Sequence, residues 1–186
     1  MSGLILLLVV LALLVVGVVL IYNMLVQKRA LVDNGWSDIE VQLKRRADLI
    51  PRLVETVKGY ASHERDVFRE VVEARNNALA AGNNVSARGA AEYKVAAKTP
   101  RLLALKEDYP ELKSNQNFLD LQDELTETED KIEMARRFYN GAVRELYIKV
   151  KSVPSNFVAG PFGFRAQPFF EIEPADRNAP DVSFEA

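Results

Sequence analysis

Cysteine is absent from this chain and histidine occurs once, at His63. The first absence removes disulfides and thiol chemistry, and it fits either side of a membrane. The second removes most zinc chemistry, because His63-Glu64 lacks the second histidine of an HExxH site. Excess charge is also missing: 24 basic against 26 acidic residues give a formal net charge of −2, which supplies no basic stripe for a nucleic acid. No glycine-rich phosphate loop and no G-x-S-x-G turn occurs. Glu124, Glu127 and Glu129 cluster, but without the Glu-x-x-His pairs that a di-iron bundle needs. The sequence therefore nominates no catalytic, cofactor-binding or metal-ligating residue. The expectation is a non-enzyme with no cofactor, no small-molecule substrate and no nucleic-acid partner.

The most local absence is the most informative one. Residues 1–27 carry no charged side chain, and within them residues 4–22 read LILLLVVLALLVVGVVLIY. At 1.5 Å per residue this crosses about 30 Å of hydrocarbon, and a helix satisfies its own backbone there. Leu4, Leu8, Leu14, Val18 and Tyr22 mark the expected transmembrane stretch. No basic region precedes it and no small-residue cleavage site follows, so a retained anchor is expected rather than a clipped signal. Lys28 and Arg29 follow at once, with Lys44, Arg45 and Arg46 farther on, which by the positive-inside tendency places the C-terminal domain in the cytoplasm.

Beyond the anchor, Val32, Trp36, Ile39, Leu43, Ile50, Leu53, Val57, Tyr60, Val67, Val71, Ala74 and Ala78 recur at spacings of three and four. Arg46 and Glu64 stand in the two remaining positions of that stripe. The pattern predicts one long helix from Leu4 to about Leu79, kinked rather than ended by Pro51, since the phase crosses the proline without slipping. A loop follows at residues 81–86 (AGNNVS), with Gly82 closing one helix and Ser86 capping the next. The alanine-rich helix after it is expected in two pieces, restarting at Thr99-Pro100 and ending at Tyr109. The last helix is the clearest: Phe118, Leu121, Leu125, Thr128, Ile132, Ala135, Tyr139, Ala142, Leu146 and Val153 keep heptad spacing, missing only at Lys149. Small Thr128, Ala135 and Ala142 allow a neighbouring helix to come close. Its charged face, acidic early and basic late, reads as a solvated surface. A membrane-proximal neck around Tyr22 to Leu31 is expected to stand clear of the bundle.

From Pro154 onward prolines and glycines preclude a regular helix, yet Phe157, Phe162, Phe164, Phe169, Phe170 and Phe184 lie in the same segment. A disordered tail is usually poor in aromatics. Phe162, Phe164, Phe169 and Phe170 are therefore expected to dock, on the bundle itself or on a partner or membrane surface. Val182, Ser183 and Phe184 also suggest a short added strand.

The fold class is all-α: a single transmembrane helix continuing into an elongated antiparallel helical bundle, with an irregular aromatic and proline-rich tail. The segments divide as residues 1–27, 28–153 and 154–186. Trp36, Ile39, Leu43, Ile50, Leu53, Val57, Phe118, Leu121, Leu125, Ile132, Tyr139 and Leu146 form the expected bundle seam.

Those seams carry words that resemble the LemA family. In the first half they are YNMLV from Tyr22, WSD from Trp36, VQLKRR from Val41, DLIP from Asp48, LVETVKGY from Leu53, and His63-Glu64. In the second they are YPELK from Tyr109, NQNFL from Asn115, LQDELTETE from Leu121, ARR from Ala135, Tyr139-Asn140, FGF from Phe162 and Pro168-Phe169-Phe170. The resemblance covers nearly the whole chain and is weakest between Gly82 and Ala104. It implies an N-terminally anchored bacterial membrane protein with an antiparallel helical bundle and no established catalysis. The expected function is a membrane-anchored scaffold or interaction protein that self-assembles and organises or shapes membrane, single-pass in the bacterial cell membrane. The alternative is an accessory subunit of a membrane protease or envelope-stress system. The expected partners are the lipid bilayer, further copies of the chain, and a membrane protein.

Overall fold

The structure, a computed structural model, describes residues 2–171. Among the described residues every regular element is helical: α1 (Ser2–Lys58), α2 (Arg65–Ala80), α3 (Val85–Ala104), α4 (Pro110–Lys113), α5 (Gln116–Lys151) and α6 (Asn156–Ala159), with a 3-10 turn at Leu105–Glu107. The strand expected at Val182, Ser183 and Phe184 lies outside the described residues, as does Phe184 itself. The chain divides into two compact units, one of Met1–Gln42 with Lys131–Phe169 and the other beginning at Leu43–Asp130 and taking in Phe170.

In the first unit α1 and α5 run antiparallel. Lys28 meets Glu145 at 2.6 Å, and the rings of Trp36 and Tyr139 lie 5.7 Å apart. Gly35 makes this approach possible, because a Cβ there would come within 3.1 Å of the Tyr139 backbone. Leu25, Val32, Ile39, Ile132, Tyr139, Ala142, Val143 and Leu146 fill the interface, joined by Val158 and Ala159 of α6. The neck is therefore not clear of the bundle. Leu25 is fully buried, and Tyr22 packs edge-on against Phe162 and Phe164, at ring centroid distances of 5.0 and 5.6 Å. The physical reason is that the tail turns back at the end of α5 and covers the neck with its aromatic rings. Four residues of that tail, Asn156–Ala159, also form the short helix that the Pro and Gly content argued against.

In the second unit segments of α1, α2, α3 and α5 pack around one core that includes Ile50, Leu53, Val57, Phe68, Val71, Leu102, Phe118 and Leu125. The α1 helix ends at Lys58, not near Leu79. Gly59 lowers helix propensity by about 1 kcal/mol, and the turn closes with the Tyr60 and Ala61 amides both donating to the Val57 carbonyl. Tyr60 and Val67 carry the spacing of three and four across the turn, although Tyr60 is exposed, so the turn left no trace in the periodicity.

Pro51 lies inside α1, as the uninterrupted phase predicted. A proline has no N–H to offer the carbonyl four residues earlier, here Ala47. That carbonyl instead accepts a hydrogen bond from Arg75 Nε of α2, at 2.6 Å. The tertiary neighbour thus repairs the defect in the ladder.

Gly82 ends α2 with φ of +60°, the left-handed value that favours glycine. The next cap is Asn84 rather than Ser86: its Oδ1 accepts from the Ala87 amide at 2.9 Å. Asn is at least as good a cap as Ser, and it stands two residues earlier. The α3 helix is also continuous through Pro100, where a restart was expected. Thr99 is buried and turns its hydroxyl back to the Val95 carbonyl at 2.8 Å, so it supports the preceding turn instead of capping a new one. Asn115 caps α5, its Oδ1 accepting from the Phe118 amide at 2.9 Å.

Candidate functional site

Carboxylates of α3 and α5 in the second unit meet at Arg46, which takes a seam position of α1 yet is only 1% exposed. Its Nη1 donates to both carboxylate oxygens of Glu129, at 2.8 and 2.9 Å. Its Nη2 contacts Glu92 Oε2 and also donates to the Glu92 carbonyl at 3.3 Å. Glu92, 3% exposed, accepts from Arg88 Nε at 2.7 Å through its other oxygen. Two guanidinium groups thus face two carboxylates, and the cluster carries no net charge. Burial works against the Arg46 charge, but Glu129 and Glu92 more than offset it, so the guanidinium titrates above its ordinary value. Such an arrangement fixes the register of α1, α3 and α5 against one another. It is built to hold charge in place rather than to release it.

Sequence reasoning did not nominate this cluster, although its signal was present. Arg46 interrupts an apolar stripe, and Glu92 lies in a second one, among buried Gly89, Val95, Thr99 and Leu102. A charge at an inward position of two helices points to a buried pair, because a lone buried charge is too costly. The carboxylates singled out earlier are divided between roles. Glu124 pairs with Arg45 at 2.9 Å and Glu129 joins Arg46.

The expected seam residues are placed as follows. Ile39, Leu43, Ile50, Leu53, Val57, Phe118, Leu121, Leu125, Ile132, Tyr139 and Leu146 are buried, and Trp36 is half-buried. This chain covers them itself. Leu4, Leu8, Leu14, Val18 and Tyr22 are exposed along α1. Of the tail, Phe170 is fully buried and Phe164 half-buried, whereas Phe162 and Phe169 keep much of their surface. The Tyr139 hydroxyl donates to the Pro168 carbonyl at 2.8 Å, and burial raises its pKa.

Glu145 is held below its ordinary value of 4.5, first by the hydrogen bond from Lys28 and then by that residue's charge. A depressed carboxylate contributes stability that is present above the unfolded pKa and lost as pH falls through the lower folded value. Acidification below about pH 4.5 should therefore loosen α5 from α1, by a small amount because the pair is solvent-exposed. Thermal unfolding of Glu145→Gln should respond less to acid than that of the parent. Equal acid responses would remove this pair from the account.

A family model described as the LemA family matches residues 35–184. This chain belongs to the LemA family. Among curated proteins it is similar to Magnetosome protein MamQ 2 and Magnetosome protein MamQ 1 of Paramagnetospirillum magneticum, each 25% identical over 164 residues. It is likewise similar to Magnetosome protein MamQ of Magnetospirillum gryphiswaldense, 23% identical over 164 residues. In each case the match covers 75% of this chain and 60% of the relative. The LemA match takes in both the Arg46 cluster and the second-unit core. The chain is thus a membrane-associated helical protein of the LemA family, with one described helix, α1, long and apolar enough to cross a bilayer.

Proposed function

We propose that this LemA-family chain is a single-pass membrane-anchored scaffold or interaction protein without catalytic activity, which self-assembles and organises or shapes the membrane around it. The observation that carries the reading is the continuity of α1. The exposed apolar segment and the helix packed against α5 are one uninterrupted element, Ser2–Lys58. Whatever binds the packed region is thereby tied to the lipid. The basic residues Lys28, Arg29, Lys44, Arg45 and Arg46 favour a cytoplasmic C-terminal domain. The relatives' names, as magnetosome proteins, are compatible with a role in building a cellular structure rather than in turnover of a metabolite.

Self-assembly needs an uncovered apolar surface, and the first unit offers one. Val41, Met134, Phe138 and Ile148 are large and exposed; the last three lie on α5, where spacings of four and ten bring them to one side. Detergent-solubilised full-length protein is expected to run as an oligomer by size exclusion with light scattering. Met134→Arg should shift it toward the monomer without loss of helicity. A monomeric parent protein would remove self-assembly from the proposal.

A further inference from the structure

The packing of the first unit sets the level of the tail relative to the apolar segment. Glu145 lies opposite Lys28, and the two helices are antiparallel. Moving six residues in each direction places Lys151, the last residue of α5, level with Tyr22, the last residue of the apolar run. Helical rise is the same in both, and the approach of Gly35 to the Tyr139 backbone gives the same register to within about one residue. The ring contacts of Phe162 and Phe164 with Tyr22 fix the returning tail at the same level. If residues 4–22 occupy the hydrocarbon, everything at this level stands at the bilayer surface.

The side chains found there suit that position and not water. Val153 and Phe157 are each 72% exposed and Phe162 is 56% exposed. The Phe162 amide donates to the Val158 carbonyl at 3.3 Å, which keeps Phe157 within a turn of Phe162. The charge is equally one-sided. From residue 146 to residue 170 there is no acidic side chain, while Lys149, Lys151 and Arg165 are basic, in a chain whose formal net charge is −2. Exposed aromatics flanked by cations form the pattern of an interfacial membrane contact, in which rings enter the headgroup boundary and cations meet anionic lipid.

From this we infer that the tail turn of residues 152–164 is a second membrane contact, inserting Val153, Phe157 and Phe162 into the interface of the bilayer that α1 spans. The inference rests on the anchored reading above and adds a wedge beside the anchor. The first unit is then held at two points of the membrane rather than one, which restrains its tilt.

The absence of cysteine makes the test direct. Single-cysteine variants of the full-length protein at Phe157, Pro161, Leu14 and Asn83 are spin-labelled in vesicles of phosphatidylcholine and phosphatidylglycerol. Collision with oxygen, which concentrates in lipid, is compared with collision with a water-soluble nickel complex. Labels at Phe157 and Pro161 are expected to favour oxygen, as the label at Leu14 does, while the label at Asn83, exposed in the loop after α2, favours nickel. Pro161 gives a second reading that leaves Phe157 in place, and both positions are exposed. If Leu14 favours oxygen but Phe157 and Pro161 favour nickel, the wedge is wrong and the anchor stands. If Leu14 also favours nickel, both are wrong. Shielding of Phe157 and Pro161 from both reagents, with spin-spin broadening, would assign the patch to a second copy and overturn the membrane contact.

Discussion

Glu92→Ala is expected to lower the stability of the folded protein by about 3–5 kcal/mol, the range found when one partner of a buried ion pair is removed. The substitution leaves Arg46 with the Glu129 carboxylate and removes the carboxylate that accepts from Arg88 Nε. Glu129 still faces Arg46, but its side chain is partly solvated, 37% exposed, so the loss falls on the buried side of the cluster. The cost falls on the junction of α1 and α3, and it should appear in denaturant unfolding followed by helical circular dichroism in detergent. Arg46→Met combined with Glu92→Leu is expected to recover part of the loss, because it removes the two most deeply buried charges together and leaves only Glu129 and Arg88, which are nearer to solvent. A Glu92→Ala protein within 1 kcal/mol of the parent would show that water reaches the cluster, about the magnitude of a surface pair.

The other large effect concerns the tail. Phe170→Ala should cost about 3–5 kcal/mol, since the ring is fully buried and its removal leaves a cavity. Phe157→Ala, at an exposed ring, should change stability by no more than about 0.5 kcal/mol in detergent. The comparison separates two phenylalanines of one tail that composition cannot rank. Gly89 offers an independent reading of the same docking. A Cβ built there meets the carbonyl of Glu171, the neighbour of Phe170, so Gly89→Ala forces that backbone away from α3. Because both changes act on one contact, their combined effect should be smaller than the sum. Full additivity would mean that Phe170 and Glu171 do not dock as a unit.

Much of the helical content was legible, and the reason is periodicity. The apolar spacing in α1 and α5 is long enough to exclude strands, and nearly every residue it marked is buried. What it could not report is a turn that leaves the spacing intact. Val57, Tyr60 and Val67 keep the stripe's spacing although α1 ends at Lys58 and α2 begins at Arg65, so the helix read too long. Pro100 misled in the opposite direction, whereas Pro51 did not. Pro100 looks like a restart, yet α3 passes through it because Thr99 and its neighbours are packed on both sides of the break.

The tail was legible as aromatic but not as to destination. Phe164 meets Tyr22 and Phe170 is buried, while Phe157 stays open. Choosing among them requires knowing which helix faces lie nearby, and the order of residues along the tail does not contain that.

By itself the sequence determined that a long uncharged apolar run precedes amphipathic helices, because hydrophobic spacing and the backbone's need for internal hydrogen bonds in lipid are local properties. Only the tertiary structure decided where charges and defects are resolved. Arg46 is a stray cation until α3 and α5 bring Glu92 and Glu129 to it. Ala47 has an orphaned carbonyl until Arg75 reaches across from α2. Each partner lies between 28 and 83 positions away along the chain, and proximity over such separations comes only from packing.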